Sequence, residues 1–240
     1  FGESIYTVTN RDLAHAQREI GSAPDAGCYE YYSPQIIYVD IDALGFNIGT
    51  SWLHAFTDLN TALSVANYGD EIWVAEGIYK PTDGTSRYIA FDVYSGVKVY
   101  GGFDATETLR SQRDWATNTT TMSGAIGVSN ETEDNSLIVL NIIGFDVLVD
   151  GFTIRSAYHD ESLGGTHYGA IKCREHSESS IRHCVIRNNE AHLQAAISTE
   201  ANASVLVRDC LFRDNSCGSS SLLYANNECY MYILNCTFAQ

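Results

Sequence analysis

Ser180-Ile181-Arg182-His183-Cys184-Val185-Ile186-Arg187-Asn188-Asn189 recurs as Leu206-Val207-Arg208-Asp209-Cys210-Leu211-Phe212-Arg213-Asp214-Asn215, and again as Tyr232-Ile233-Leu234-Asn235-Cys236-Thr237-Phe238. Cys184, Cys210 and Cys236 are spaced 26 and 26, and Ile171, Ile197 and Leu223 keep the same period on a second track. Two tracks with one period define a repeat. Within each unit the apolar residues alternate, skip two polar positions, and alternate again. Ile181, Val207 and Ile233 point inward, the next two residues form a corner, and Cys184, Cys210 and Cys236 point inward again. Alternation broken by a polar corner describes a strand that bends and continues. The pattern predicts an all-β fold, a parallel β-helix of three short sheets with about 26 residues per coil and coils about 4.8 Å apart. A sandwich of antiparallel hairpins would not hold Cys, Phe/Ile and Asn in one register.

Upstream, Val149-Asp150-Gly151-Phe152-Thr153-Ile154-Arg155 aligns with the later units, with Phe152 at the cysteine position and six extra residues expected within 158–168. Ile72-Trp73-Val74, Val97-Lys98-Val99 and Leu137-Ile138-Val139 read as earlier buried strands between Gly, Asp and Asn turns. Residues 51–66 place Trp52, Phe56, Leu59, Leu63 and Ala66 on one helical stripe, with Thr50 or Ser51 as cap and Gly69 beyond the end. This predicts an α-helix covering the solenoid's N-terminal end, with the solenoid starting at Ile72.

Composition narrows the function. The 240 residues are 45% apolar, 11% aromatic and 18% charged, which excludes a disordered or coiled-coil chain. No run is long enough to span a bilayer as a helix. With 14 Lys+Arg against 30 Asp+Glu the net charge is −16, so nucleic acid is a poor partner. Seven cysteines leave at least one unpaired within the chain, and no CxxC pair is present. Cys217 and Cys229, flanking one loop, are the better disulfide candidates. The sequons at Asn118, Asn130, Asn202 and Asn235 are expected by chance in such a composition. The chain opens at Phe1 without a signal peptide, and a targeting segment outside this sequence is the expectation.

Ile37-Tyr38-Val39-Asp40, Gly49-Thr50-Ser51-Trp52 and Gly69-Asp70-Glu71-Ile72-Trp73-Val74-Ala75-Glu76-Gly77-Ile78-Tyr79 resemble the opening of secreted bacterial right-handed β-helix proteins of the pectin-lyase-like superfamily. Tyr100-Gly101-Gly102-Phe103, Gln112-Arg113-Asp114-Trp115 and the Cys-x-Phe/Ile-x-x-Asn ladder extend the resemblance over residues 36–240. It implies a right-handed helix and an extracellular or cell-surface location.

Enzymes of that superfamily cleave acidic polysaccharides with carboxylates on adjacent coils. This sequence carries no Asn-x-Asp, Asp-Asp, Gly-His-Gly or Arg-Ile-Lys signature. Arg155, Arg187 and Arg213, with Asp209 and Asp214 nearby, read as a solvated row beside turn residues rather than a sugar-acid subsite. His159, Asp160, Glu161 and His167 match no metal-ligand spacing and read as an exposed loop. The stacked cysteines read as small core hydrophobes. No catalytic residue, metal site or cofactor is expected.

Residues 1–35 resemble the closing segment of such domains, through Asn10-Arg11-Asp12-Leu13, Arg18-Glu19-Ile20-Gly21 and Pro24-Asp25-Ala26-Gly27-Cys28-Tyr29-Glu30-Tyr31, yet precede the first coil. Written after Gln240, Glu3-Ser4-Ile5-Tyr6-Thr7-Val8 parallels Ser220-Ser221-Leu222-Leu223-Tyr224-Ala225. Two arrangements fit: residues 1–35 complete the C-terminal coil of the next molecule, or the chain is one unit of a longer tandem protein. In the alternative the segment caps its own helix. The expected assembly interface is Ile5, Tyr6, Val8, Cys28 and Tyr29 against Leu222, Leu223, Tyr224 and Phe238. The expectation is an extracellular structural protein whose partner is itself, as a head-to-tail homopolymer, with surface glycans as a further partner class. A carbohydrate-active or sugar-binding β-helix and a monomeric adhesin-like module are the alternatives.

Overall fold

The computed structural model describes residues 33–127, 131–160, 169–218, 221–226 and 228–239. In chain order the elements are β1 (Ile36–Val39), α1 (Leu59–Val65), β2 (Glu71–Ala75), β3 (Gly77–Tyr79), β4 (Phe91–Tyr94), β5 (Lys98–Phe103), β6 (Thr120–Ser123), β7 (Leu140–Ile143), β8 (Val147–Asp150), β9 (Phe152–Arg155) and β10 (Tyr158–His159). They continue with β11 (Ile171–Cys173), β12 (Glu178–Arg182), β13 (Val185–Arg187), β14 (Glu190–Ala191), β15 (Gln194–Thr199), β16 (Ser204–Arg208), β17 (Leu211–Arg213), β18 (Ser216–Cys217), β19 (Ser221–Ala225), β20 (Tyr230–Leu234) and β21 (Thr237–Ala239).

These strands form parallel sheets ordered β1-β2-β5-β8-β12-β16-β20, β4-β7-β11-β15-β19 and β3-β6-β9-β13-β17-β21, with a short fourth sheet β10-β14-β18. The chain is all-β apart from α1, and this arrangement is consistent with a parallel solenoid. The fourth sheet adds to the three expected, because two residues past the Asn188 turn run straight enough to pair. Ile181 pairs with Val207 and Val207 with Ile233, each 26 residues on, as do Ile171 with Ile197 and Ile197 with Leu223. Between β10 and β14 the offset is 32, from Tyr158 to Glu190, yet Ile171 to Ile197 is 26. The six extra residues therefore lie between His159 and Ile171, an interval that overlaps the expected 158–168.

The corners are built from residues with left-handed backbone. His183, Asp209 and Asn235 have φ of 48°, 55° and 52°, Asn188 and Asp214 have 51° and 53°, and His176, Asn202 and Glu228 have 60°, 61° and 58°. Such φ values disfavour most side chains by about 1–2 kcal/mol and are tolerated best by Asn, Asp and Gly. Inter-rung bonds offset that cost: His183 donates its N–H to the Arg208 carbonyl at 3.2 Å, and Asp209 to that of Leu234 at 3.0 Å. After each such corner the next side chain turns inward, which is why Cys184 and Cys210 are buried with Ile181, Val207, Ile186 and Phe212 in one continuous core. Each thiol of the ladder rests on carbonyls: Cys184 Sγ on Arg182 (3.1 Å), Cys210 Sγ on Arg208 (3.2 Å) and Cys236 Sγ on Leu234 (3.3 Å).

Three expectations need correction. The helix is only Leu59–Val65, because the backbone of Phe56 is taken by β1: its N–H donates to the Tyr38 carbonyl and its carbonyl accepts from Asp40, both at 2.9 Å. Asp58, not Thr50 or Ser51, caps it, accepting from the Thr61 N–H at 2.6 Å. Leu59, Ala62 and Leu63 still pack into the core beside Ile37, Ile72 and Phe91. Second, the parallel stack starts at β1, not at Ile72, since Ile37 pairs with Ile72 across the excursion that contains α1. Third, the strand near residue 140 is β7, after the expected Leu137–Val139, because Leu140 is the residue in register with Phe91 and Ile171.

Candidate functional site

The expected interface residues on the C-terminal side lie on the last rung. β19, β20 and β21 are terminal strands of the three large sheets. Leu222, Leu223, Met231, Ile233 and Cys236 are only partly buried there, although Ile181 and Ile171, the counterparts of Ile233 and Leu223 two rungs back, are fully enclosed. Phe238 stacks on Phe212 with centroids 4.7 Å apart and planes 8° from parallel, and is 50% exposed. Tyr224 lies beside Ser198 in β15. Ile5, Tyr6, Val8, Cys28 and Tyr29 lie outside the described residues.

A second site, which the sequence reading missed, forms at the corner after β8 and β12. Asp150, the last residue of β8, is buried, and its Oδ1 accepts from Arg113 Nη2 at 2.7 Å. The same oxygen is 3.0 Å from His183 Nδ1, and His183 Nε2 lies 3.9 Å from Asp209 Oδ2 on the next rung. Trp115 packs on the His183 ring at 4.5 Å, and the Arg113 guanidinium stands 4.8 Å from the Trp115 ring and 5.1 Å from that of Tyr100. The Asn235 amide, followed by Arg208, holds the Asp209 carboxyl below the usual carboxylate range. A cavity of about 280 Å³ opens here, lined by Trp115, Phe152, Thr153, His183, Asp209 and Leu211. The arrangement can hold a carboxylate-oriented imidazole at the cavity mouth. Arg113 and Asp150 are 37 residues apart with no local signal joining them; the in-register position of His183, Asp209 and Asn235 was the readable half.

Arg155, Arg187 and Arg213 are in register on the outer face of the third sheet. His159, expected in an exposed loop, is instead buried in β10 beside Ala191, and burial lowers its pKa. Glu161 and His167 lie outside the described residues. Among the described residues no group of three His, Cys, Asp or Glu side chains is arranged to hold a metal ion. Cys217 and Cys229 are not joined to each other in a disulfide. Cys217 is in β18 beside Ala191, whereas the Cys229 thiol donates to the Glu200 carbonyl at 2.6 Å.

Comparison of the chain with protein-family models, with curated proteins and with solved structures finds no match.

Proposed function

We propose that the chain is an extracellular structural protein, a right-handed parallel β-helix of the pectin-lyase-like type that assembles head to tail into a surface filament or matrix fibre. What supports this reading most is the inequality of the two ends of the stack. At the β1 end α1 covers the apolar interior with Leu59, Ala62 and Leu63. At the β20 end inward-facing Leu223, Ile233 and Phe238 are incompletely covered, beside three parallel strand edges. Such edges template further strands. The alternation of Glu3-Ser4-Ile5-Tyr6-Thr7-Val8 suits the position after β21, and a donor at one end with an acceptor at the other propagates without closing.

Sedimentation velocity tests the reading. The intact chain should run as large polymers, a chain lacking residues 1–31 as a folded monomer, and added peptide 1–31 should shorten the polymers. A deleted chain that still polymerises overturns the donor-segment mechanism. An intact chain that stays monomeric overturns the homopolymer.

A carbohydrate-active or sugar-binding role is the second reading. The observation favouring it is the corner cleft, where Asp150 and Asp209, on the rungs either side of His183, flank its ring beside Trp115.

A further inference from the structure

Arg155, Arg187 and Arg213 form a cationic stripe whose one carboxylate neighbour among the described residues is Asp214, beside Arg213. Alternation with buried Ile154, Ile186 and Phe212 puts all three side chains on the outer face. The stripe ends at Ser123 on one side and Ala239 on the other. Each arginine is steered by the corner residue that follows it. Arg155 Nη1 reaches Ser156 Oγ at 3.5 Å, Arg187 Nη1 donates to Asn188 Oδ1 at 2.9 Å, and Arg213 Nε lies 3.8 Å from Asp214 Oδ2. Among the described residues no carboxylate lies within ion-pair distance of Arg155 or Arg187. Like charges stacked on adjacent strands are unfavourable. Consistent with this, the pKa of Arg187 is lowered, first by burial and then by Arg155 and Arg213, with Asp214 opposing.

We propose that the Arg155–Arg187–Arg213 ladder is a binding site for tetrahedral oxyanions, sulfate or phosphate groups, bridged between neighbouring guanidiniums. Stacked parallel strands place the successive arginine backbones about 4.8 Å apart, so the stripe spans about 10 Å at the backbone. Each guanidinium carries five donors in a planar fork. A single planar fork engages both oxygens of a carboxylate in one plane. A sulfate or phosphate has additional acceptor oxygens and accepts from two neighbouring rungs at once, so three arginines suit two anions in series. The overall charge of −16 does not forbid this, because at physiological ionic strength charges beyond about 8 Å are largely screened and the local stripe decides. The anions come either from a polymer that carries them at intervals or from free ions in solution.

The test measures binding of dextran sulfate and neutral dextran, and thermal stability in sodium sulfate against sodium chloride at equal ionic strength. The intact chain should bind dextran sulfate and not dextran. Arg187→Gln should weaken that binding about tenfold, the effect expected for losing a charge-assisted hydrogen-bonding group. Arg187→Lys, which keeps the charge but not the fork, should also weaken it. Lys80→Gln makes the same charge change on an exposed residue and should alter affinity less than about twofold. Circular dichroism of each variant separates loss of binding from loss of fold. Stabilisation by sulfate without polymer binding, again lost in Arg187→Gln, assigns free anions as the source. Absence of both effects, or equal weakening by Arg187→Gln and Lys80→Gln, overturns the proposal.

Discussion

Asp150 and Arg113 form a buried ion pair at 2.7 Å, with side chains 7% and 8% exposed, joining the loop before β6 to the end of β8. Breaking such a pair leaves an uncompensated buried charge. Asp150→Ala should therefore destabilise the fold by about 3–5 kcal/mol in chemical denaturation. Removing both partners in Asp150→Ala/Arg113→Met should cost less than the sum of the single changes. Additive losses would show that the two groups do not depend on one another.

Phe212 is enclosed and stacked on Phe238, whereas Arg213 next to it points outward with 47% of its side chain exposed. Phe212→Asp puts an unpaired charge into the core and should cost several kcal/mol, on the order of 4 or more. Arg213→Ala should cost less than about 1 kcal/mol. Similar melting temperatures for the two variants would mean that the inward and outward phases are reversed.

The buried Asn189 side chain ties three rungs together. Its Nδ2 donates to the Ile154 carbonyl at 3.2 Å and to Asn215 Oδ1 at 3.0 Å, and its Oδ1 accepts from the Ala157 N–H at 3.0 Å. Asn189→Leu removes these partners and should cost about 2–4 kcal/mol, since it leaves buried backbone groups unsatisfied. Urea unfolding of this variant, with Glu190→Ala at an exposed position of β14 as control, measures the difference.

Stability should also fall at both ends of the pH scale. Asp104 is held down by the Thr106 hydroxyl, Asp114 by that of Thr117, Asp209 by the Asn235 amide, and Glu200 by Lys172 against the opposing effect of burial. A depressed carboxyl stabilises the fold above its unfolded pKa of about 4, and that stability is lost as pH falls through the folded value. Burial pushes the Cys173 thiol up to about 12, and buried Tyr79 is raised as well. Raised acids favour the fold fully below their unfolded pKa, roughly 8.5 for Cys and 10 for Tyr, and less as pH rises beyond it. Melting temperature should be level from about pH 5 to 8 and decline below 4 and above 9; a rise on acidification below pH 4 would contradict these assignments.

The repeating rungs were legible because each unit carries its own phase: Ile181, Cys184 and Ile186 alternate around a fixed corner, and the same positions return 26 residues later as Val207, Cys210 and Phe212. The helix boundary was not. The stripe from Trp52 to Ala66 has helical spacing, but Phe56 is held by Tyr38 and Asp40, and Trp52 donates to the Glu107 carbonyl at 2.8 Å. Tertiary partners overrode local periodicity there. The corner cleft was hidden for a related reason: Arg113, Asp150 and His183 meet only through the stacking of rungs, and no single rung contains them. Of the two carboxylates expected beside the arginine row, Asp214 lies by Arg213, whereas Asp209 turns to Asn235, Arg208 and His183.

Negative-stain electron microscopy of the intact chain addresses head-to-tail assembly most directly. The account predicts unbranched fibres one subunit wide that disappear when residues 1–31 are deleted. Monodisperse single particles from the intact chain at high concentration, or fibres that persist after the deletion, would contradict it.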